Sequence, residues 1–376
     1  MRSSVGISRR AFLQTGALAG VSLQFGAGCT SQHKTLNWLT WPGHGIDAVI
    51  QPFERQTGFK VQVKEYGSGD LGLIEMSQNP GAYDVITTSM EFIPAYVEAG
   101  LLVELQPDLS EGWKQYFPEF KKDIGYNVGG KFYSILYEFG SNGLAYRTDK
   151  ISFAEASSYQ ICLDPKVSGK IGLQDWWGNA MGPYSILAGA EPVKGRNPYV
   201  LNHNEFLHLQ AVMKRGRPLV AGFFEIAGVF SAFANESIWL QPGGGDWVAQ
   251  LLRDQGVPVA SMIPREGGYL WGEGISIVKG TTQRSAAQKF VDYCLSAPAQ
   301  AAFATKPSYS AIVPNQQAWK LIQMSKPRWA ERLNMTSLTG NNAIAPWRNG
   351  LIAPRVLPGQ GTARDWADAW QAFKAE

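Results

Sequence analysis

The chain has 376 residues, 45% of them hydrophobic, which is enough to bury a large core and indicates two domains rather than one. Lysine and arginine number 34 against 31 acidic residues, a net charge of +3, and no basic block follows residue 10. The sequence therefore lacks the electrostatic signature of a protein that binds nucleic acid or an anionic membrane surface. Its 13 tryptophans and 14 tyrosines exceed what a core needs, so some of them should line a concave site.

The first 28 residues are predicted to be an export signal. Arg9 and Arg10 precede Phe12 and a mildly apolar run that is too short to span a membrane, which is the pattern of a twin-arginine signal peptide. Gly26–Cys29 is similar to a lipoprotein cleavage site, although a leucine is usual where Gly26 stands. Acylation of Cys29 and simple cleavage by signal peptidase are alternative predictions, and both give an extracytoplasmic, periplasmic protein.

Two cysteines, Cys162 and Cys294, remain in the mature chain. An exported compartment permits a disulfide, but two cysteines in a chain of this size do not make a disulfide framework. We predict two buried free thiols.

The mature chain begins with a strand–helix–strand pattern. Residues 36–41 predict a strand, and a helix follows with Ile46, Val49, Ile50 and Phe53 on one face and Gly58 as its left-handed end. Residues 59–64 alternate apolar and polar side chains, so this second strand should have one buried face and one exposed face. This spacing indicates a βαβ unit and an α/β fold.

A glycine pattern follows the second strand. Gly67, Gly69 and Gly72 match the G-x-G-x-x-G fingerprint of dinucleotide-binding loops. An exported NAD(P)-dependent oxidoreductase is therefore an alternative function. Against it, Asp84 opens its strand where the fingerprint requires an acid at a strand end about 20 residues on. We favour a loop at which a helix N-terminus approaches a ligand.

The rest of the chain continues as α/β. We predict helices over 91–99, 204–215, 285–295 and 365–373, a strand over 170–173, and a hairpin turn at 127–130. Signatures of P-loop, zinc-protease and serine-hydrolase sites are absent from the sequence. His203 and His208 lie five apart, which does not place them on one helix face as metal ligands. His44, in the loop after the first strand, is predicted to be solvated. We predict no enzyme activity, no cofactor and no metal.

The segment 264–277 contains the strongest functional signal. Trp271 and Glu273 are two apart, so on an extended segment both side chains point to the same side. An aromatic face beside a carboxylate suits a small organic cation.

Four segments in order resemble the spermidine/putrescine-binding protein family, the extracytoplasmic receptors of ABC importers. They are the segment 264–277, residues 37–61 with their Thr57-Gly58 ending, residues 81–89 around Tyr83-Asp84, and residues 133–146. The resemblance implies a two-lobed periplasmic-binding-protein-like α/β fold, with two mixed-sheet lobes joined by crossover hinge strands near 138–142 and 268–272. Lobe 1 would comprise 34–139 with 272–315, and lobe 2 would comprise 140–271 with 316–376.

The candidate ligand-binding residues lie in the crossover segment, at carboxyl ends of predicted strands, where open α/β sheets bind ligands, or at a position where the family stacks a tryptophan on its ligand. They are Trp38, Trp41, Ser89, Glu91, Phe92, Asp175, Trp239, Trp271 and Glu273. Where polyamine receptors carry acids, this chain has Trp176 and Asn179, which argues against a plain diamine. We expect a monomeric protein that delivers a small organic cation, polyamine-like or another amine or quaternary ammonium, to an ABC transporter permease.

Overall fold

The computed structural model describes residues 34–122, 124, 127–307, 309–358 and 363–376. The predicted export signal, with Arg9, Arg10 and Cys29, lies outside the described residues. Among the described residues, no helix is long and apolar enough to cross a membrane. Cys162 and Cys294 are buried and free, as predicted.

Ten strands are described. They are β1 (Thr35–Thr40), β2 (Lys60–Glu65), β3 (Val85–Ser89), β4 (Ile135–Arg147), β5 (Ile171–Gln174), β6 (Val220–Phe224), β7 (Leu240–Gly245), β8 (Val259–Met262), β9 (Gly268–Ile277) and β10 (Ile352–Pro354). They form a mixed sheet in the order β2-β1-β3-β9-β4-β7-β5-β6, with β10 paired to β9 and β8 paired to β4. The predicted α/β class is confirmed.

The two longest strands connect the halves of this sheet. β4 and β9 run antiparallel from Ile135 opposite Ile275 to Asn142 opposite Tyr269, with a register shift between Leu136 and Glu138. In one half of the sheet β9 pairs with β3. In the other half the C-terminal end of β4 pairs with β7 and β8. β4 and β9 contain the segments 138–142 and 268–272, in which the sequence predicts the crossover.

Fifteen α-helices are described. They are α1 (Asp47–Thr57), α2 (Gly69–Gln78), α3 (Ile93–Glu98), α4 (Glu111–Lys114), α5 (Phe153–Ala156), α6 (Trp177–Leu187), α7 (His203–Gly216), α8 (Ile226–Ala234), α9 (Asp246–Asp254), α10 (Arg284–Leu295), α11 (Ala297–Ala304), α12 (Gln316–Ser325), α13 (Pro327–Arg332), α14 (Ala345–Arg348) and α15 (Ala363–Ala375). α1 buries Val49 and Phe53 and ends at Gly58, whose φ of 74° and N–H bond to the Glu54 carbonyl make the predicted left-handed cap.

The prediction for the second strand is wrong in one respect. β2 is the edge of the sheet, and both of its faces are largely exposed, with Val63 at 38%. Alternation in the sequence marks two faces, but burial of one face requires a layer that covers it.

The glycine pattern 67–72 has a packing explanation. Ser68 caps α2, and a Cβ at Gly69 would overlap the ring of Phe92. A Cβ at Gly72 would lie 2.9 Å from the Tyr96 hydroxyl. These two glycines let α2 lie close against neighbouring aromatic rings.

Candidate ligand-binding site

A cleft of about 310 Å³ lies beside the crossing strands. Its lining comes from both halves of the sheet and consists of Trp41, Pro42, His44, Gly67, Ser89, Glu138, Asn142, Gln174, Trp176, Asn179, Glu225, Ile226, Ala227, Trp247, Trp271, Glu273, Lys306, Tyr309 and Arg355. Several of these side chains stand at or just beyond the carboxyl ends of strands, the usual place for ligands in open α/β sheets.

Aromatic rings form much of the cleft wall. Trp41 and Trp176 are buried, with ring centroids 6.3 Å apart. Trp271 is half-buried, and its ring covers Gly140 on the neighbouring strand, where a Cβ would be only 2.6 Å away. Trp247 and Tyr309 complete the aromatic lining. Such a wall suits an alkyl chain or an ammonium group.

Glu273 is the buried glutamate that has no ion-pair partner among the described residues. The Ser89 hydroxyl donates a hydrogen bond of 2.9 Å to its Oε1 atom. Its Oε2 atom is buried and has no hydrogen-bond partner among the described residues. Burial raises the pKa of the Glu273 carboxyl well above its usual range, and the nearby Glu91 raises it further. An approaching cation would supply the missing partner.

A second glutamate, Glu138 on β4, is neutralised by the protein itself. Lys306 Nζ lies 2.5 Å from its Oε2 and His44 Nε2 lies 3.1 Å from its Oε1. Burial raises the pKa of Glu138, and Lys306 opposes that rise. Burial, with the Lys306 charge, lowers the pKa of His44, so the imidazole is neutral near pH 7. His44 is buried and bonded, not solvated as predicted.

The third glutamate, Glu91, is paired with Arg355. Arg355 Nε donates to Glu91 Oε1 at 2.5 Å. The guanidinium also lies over the ring of Trp176, 4.6 Å from its centroid. Burial raises the pKa of Glu91 and Arg355 acts against that rise. This pair therefore closes one side of the cleft without a spare charge.

These pairings leave one negative charge unmatched. Two of the three buried glutamates each have a cation, whereas no ion pair reaches Glu273 among the described residues. Once Glu273 ionises, the buried group carries a net charge of −1. The cleft is thus electrostatically complementary to one positive charge.

The opposite wall is neutral and internally bonded. Asn142 Nδ2 donates to Asn179 Oδ1 at 2.6 Å, Asn179 Nδ2 donates to Gln174 Oε1 at 2.8 Å, and Trp247 Nε1 donates to Asn142 Oδ1 at 3.0 Å. Glu225 is the acid of this side and stands exposed at the rim, just beyond β6. The side-chain amides on this wall are hydrogen-bonded to one another, and the lining of this wall includes no buried carboxylate.

The structure brings together four of the nine predicted residues. Trp41, Ser89, Trp271 and Glu273 line the cleft, and Glu91 lies behind it, in contact through Arg355.

The other four predicted residues stand elsewhere. Trp38 is fully buried, bonded to Thr87 and packed edge-on against Phe290. Phe92 is buried against α2. Asp175 turns to the last helix, where it accepts from Trp370 Nε1 at 3.1 Å and Lys374 Nζ at 2.6 Å. Trp239 lies beneath two lysines, with Lys170 Nζ 5.2 Å from its ring centroid.

Sequence reasoning missed four cleft residues with charge, and their signals differ. Glu225 follows a strand directly, so the carboxyl-end rule could have found it. Glu138 is an acid inside the apolar run 135–139, which itself signals a buried functional group. Lys306 and Arg355 lie in segments with no local pattern, and only the folded chain brings them to the cleft.

Residues 48–329 match the family described as bacterial extracellular solute-binding protein. The match covers most of the chain. The chain belongs to this family. Its relatives and structural neighbours are substrate-binding proteins of ABC transporters and not enzymes, so the dinucleotide-binding alternative has no support.

Individual relatives of this solute-binding protein are distant. A putrescine/agmatine-binding protein of Pseudomonas aeruginosa is 23% identical over 259 residues, which cover 65% of this chain and 68% of that protein. The spermidine/putrescine ABC transporter substrate-binding protein PotD of Streptococcus pneumoniae superposes with a TM-score of 0.71 at 17% identity, covering 91% of this chain and 99% of that one. The GABA receptor Atu4243 superposes with a TM-score of 0.67 at 19% identity, covering 91% and 98%. The predicted two-lobed periplasmic-binding-protein fold is confirmed.

Proposed function

We propose that this solute-binding protein holds a small organic cation in the cleft and delivers it to the permease of its ABC importer. The observation that carries the proposal is the buried Oε2 atom of Glu273, which has neither a hydrogen-bond donor nor a cation among the described residues. A buried carboxylate in that state is costly, and a ligand ammonium that bonds to it removes the cost.

Each cleft residue has a distinct part in this function. Glu273 is the anchor for the cationic head, and Ser89 fixes the orientation of its carboxylate. Trp271, on the same side of β9, supplies a ring face for cation–π contact. Glu138 and Glu91 have their own cations and set the potential around the anchor.

Transport requires that the cleft open and close. In this proposal lobe 1 comprises residues 34–139 with 272–315 and lobe 2 comprises 140–271 with 316–376, and the crossing strands act as the hinge. The protein is exported as a monomer by the twin-arginine route. Cys29, if acylated, holds it at the membrane beside the permease.

Mass spectrometry of solute retained by natively purified protein, followed by isothermal titration, tests the proposal. Glu273→Gln keeps the shape of the side chain and removes the charge. A charged hydrogen bond contributes about 1.5 to 3 kcal/mol, so affinity for the retained cation should fall by roughly one to two orders of magnitude. Glu54→Gln, which alters an acid of α1 that pairs with Lys60 and does not line the cleft, is the control and should bind normally. Unchanged affinity in Glu273→Gln would refute the cation site.

A further inference from the structure

Two indole N–H groups in the cleft lack an acceptor. Trp41 Nε1 and Trp271 Nε1 are buried, and neither has a hydrogen-bond partner among the described residues. Both side chains line the cleft. Trp176 Nε1 also lacks a hydrogen-bond partner at bonding distance, but it lies close enough to Asp70 to stabilise the ionised form of that carboxyl. The inference therefore rests on Trp41 and Trp271.

Five tryptophans of the described chain have an acceptor for the indole N–H, and five whose N–H is buried, Trp239 and Trp366 outside the cleft among them, have none. Trp247 Nε1 bonds to Asn142 inside the same cleft, and Trp38, Trp113, Trp319 and Trp370 bond to other oxygens. Indole nitrogen is a donor only, so the acceptors for the two unpaired cleft indoles would come from water or from a ligand. In the ligand-free cleft, water can accept the hydrogen bonds of these two indole N–H groups. A ligand that displaces this water without replacing its bonds loses affinity.

A protonated alkylamine or polyamine cannot replace those bonds. Its ammonium groups are donors without a free lone pair, and its methylenes offer no hydrogen bond. Such a ligand would satisfy Glu273 and leave both indoles unpaired. An oxygen-bearing ligand would satisfy all three.

The charge count of the cleft decides what kind of oxygen this is. Of the three buried glutamates of the described chain, Glu138 and Glu91 are each matched by a buried cation and Glu273 is not. A ligand of net charge +1 makes the buried group neutral. A carboxylate on the ligand would bury a second negative charge, and a second ammonium would bury an extra positive charge unless it reached Glu225 at the exposed rim.

We infer that the solute is a monocation carrying a neutral acceptor oxygen, a hydroxyl or a carbonyl, in addition to its ammonium head. The inference rests on the proposed function and narrows it. The ammonium pairs with Glu273, and the oxygen accepts from the indole of Trp271 or Trp41.

A series of matched probes tests the ligand class by isothermal titration. Each probe has an ammonium at one end of a chain of two, four or six carbons and a methyl, hydroxyl, ammonium or carboxylate group at the other. For four carbons these are butylamine, 4-aminobutanol, putrescine and 4-aminobutyrate. At the best chain length the amino alcohol should bind about tenfold or more tightly than the alkylamine, which corresponds to one hydrogen bond gained.

Tryptophan-to-phenylalanine changes in the protein identify the donor. Trp271→Phe and Trp41→Phe each keep a ring face and remove one N–H. At least one of them should reduce amino alcohol affinity about fivefold to tenfold and leave alkylamine affinity within twofold. Trp239→Phe removes another unpaired buried indole N–H, outside the cleft, and should change neither affinity.

The outcomes separate this inference from the proposal beneath it. If putrescine or the alkylamine bound more tightly than the amino alcohol, the inferred acceptor oxygen would be wrong and the cation site would stand. Tighter binding of the zwitterion would show a charged oxygen and overturn the neutral one. No amine binding at any chain length would overturn both.

Discussion

Glu138 on β4 and Glu273 on β9 are directly opposite each other across the two crossing strands. Like charges at such a pair destabilise a sheet. The structure resolves the conflict for Glu138 through Lys306 and His44 and leaves Glu273 with the Ser89 hydroxyl. Ionisation of Glu273 is therefore unfavourable in the ligand-free protein, and a bound cation would make it favourable.

Cation binding should therefore release a proton. Because the pKa of Glu273 is raised, the ligand-free carboxyl stays protonated above the usual glutamate range, and a cation favours the ionised form. Affinity should increase with pH until the pH passes the raised pKa and then level off. Titration calorimetry in buffers of different ionisation enthalpy counts the released protons.

The same shift fixes the sign of a stability change. A raised carboxyl pKa stabilises the folded protein below about pH 4, the unfolded value, and this contribution is lost as pH rises towards the folded value. Glu273→Gln should remove that decline from the ligand-free melting curve and abolish proton release. Equal proton release in the variant would assign the proton to another group.

Lys306→Met should be strongly destabilising. Lys306 and Glu138 have side chains at most 1% exposed, and removal of one partner of a buried pair costs about 3 to 5 kcal/mol. Adding Glu138→Gln should restore much of the loss because no uncompensated charge remains. Urea unfolding of the single and double variants measures both effects.

A surface pair provides the comparison for Lys306. Lys60→Met breaks the ion pair with Glu54, where the lysine side chain is 57% exposed, and should cost less than about 1 kcal/mol. A similar cost for Lys306→Met would show that the cleft pair is as well solvated as the surface pair.

Trp271→Leu should weaken cation binding while the fold persists. Loss of a cation–π contact of about 0.5 to 2 kcal/mol corresponds to a roughly twofold to thirtyfold lower affinity. Trp239→Leu makes the same change outside the cleft and should leave affinity unaltered. Titration with the retained solute and thermal melts without it separate binding from folding. A lower melting temperature with unaltered affinity would make Trp271 structural.

Gly140→Ala should displace Trp271 indirectly. The added Cβ would lie 2.6 Å from the indole ring, so the ring or the strand must move, at a cost of about 1 to 3 kcal/mol in stability. We expect both a lower melting temperature and weaker binding.

Gly228→Ala is the matched change for Gly140→Ala. Its Cβ would have ordinary contact, 3.5 Å from Phe224, within helix α8. This variant should bind normally and be equally or slightly more stable. Wild-type binding by Gly140→Ala would mean that the ring position does not matter.

Local patterns in the sequence predicted the parts of the fold and site that depend on local spacing. The two-residue interval of Trp271 and Glu273 places both on one side of β9, and Gly58 ends its helix in the left-handed conformation. Burial depends on which elements pack on a residue, and local spacing does not encode this. For that reason β2 is exposed on both faces and Trp38 lies in the core, contrary to the predictions. Lys306 and Arg355 reach the cleft through tertiary packing, which no local pattern encodes.

The pairing of Arg355 with Glu91 joins residues 264 positions apart. Until the last part of the chain has been synthesised and β10 has docked on β9, Glu91 and Glu273 share a pocket that lacks its guanidinium. A chain that ends before Arg355 therefore leaves both Glu91 and Glu273 without a cation, whereas the full chain leaves Glu273 alone unmatched among the three buried glutamates of the described chain. The charge arrangement of the cleft is in this way completed by the C-terminal part of the chain, although most of the cleft lining precedes it.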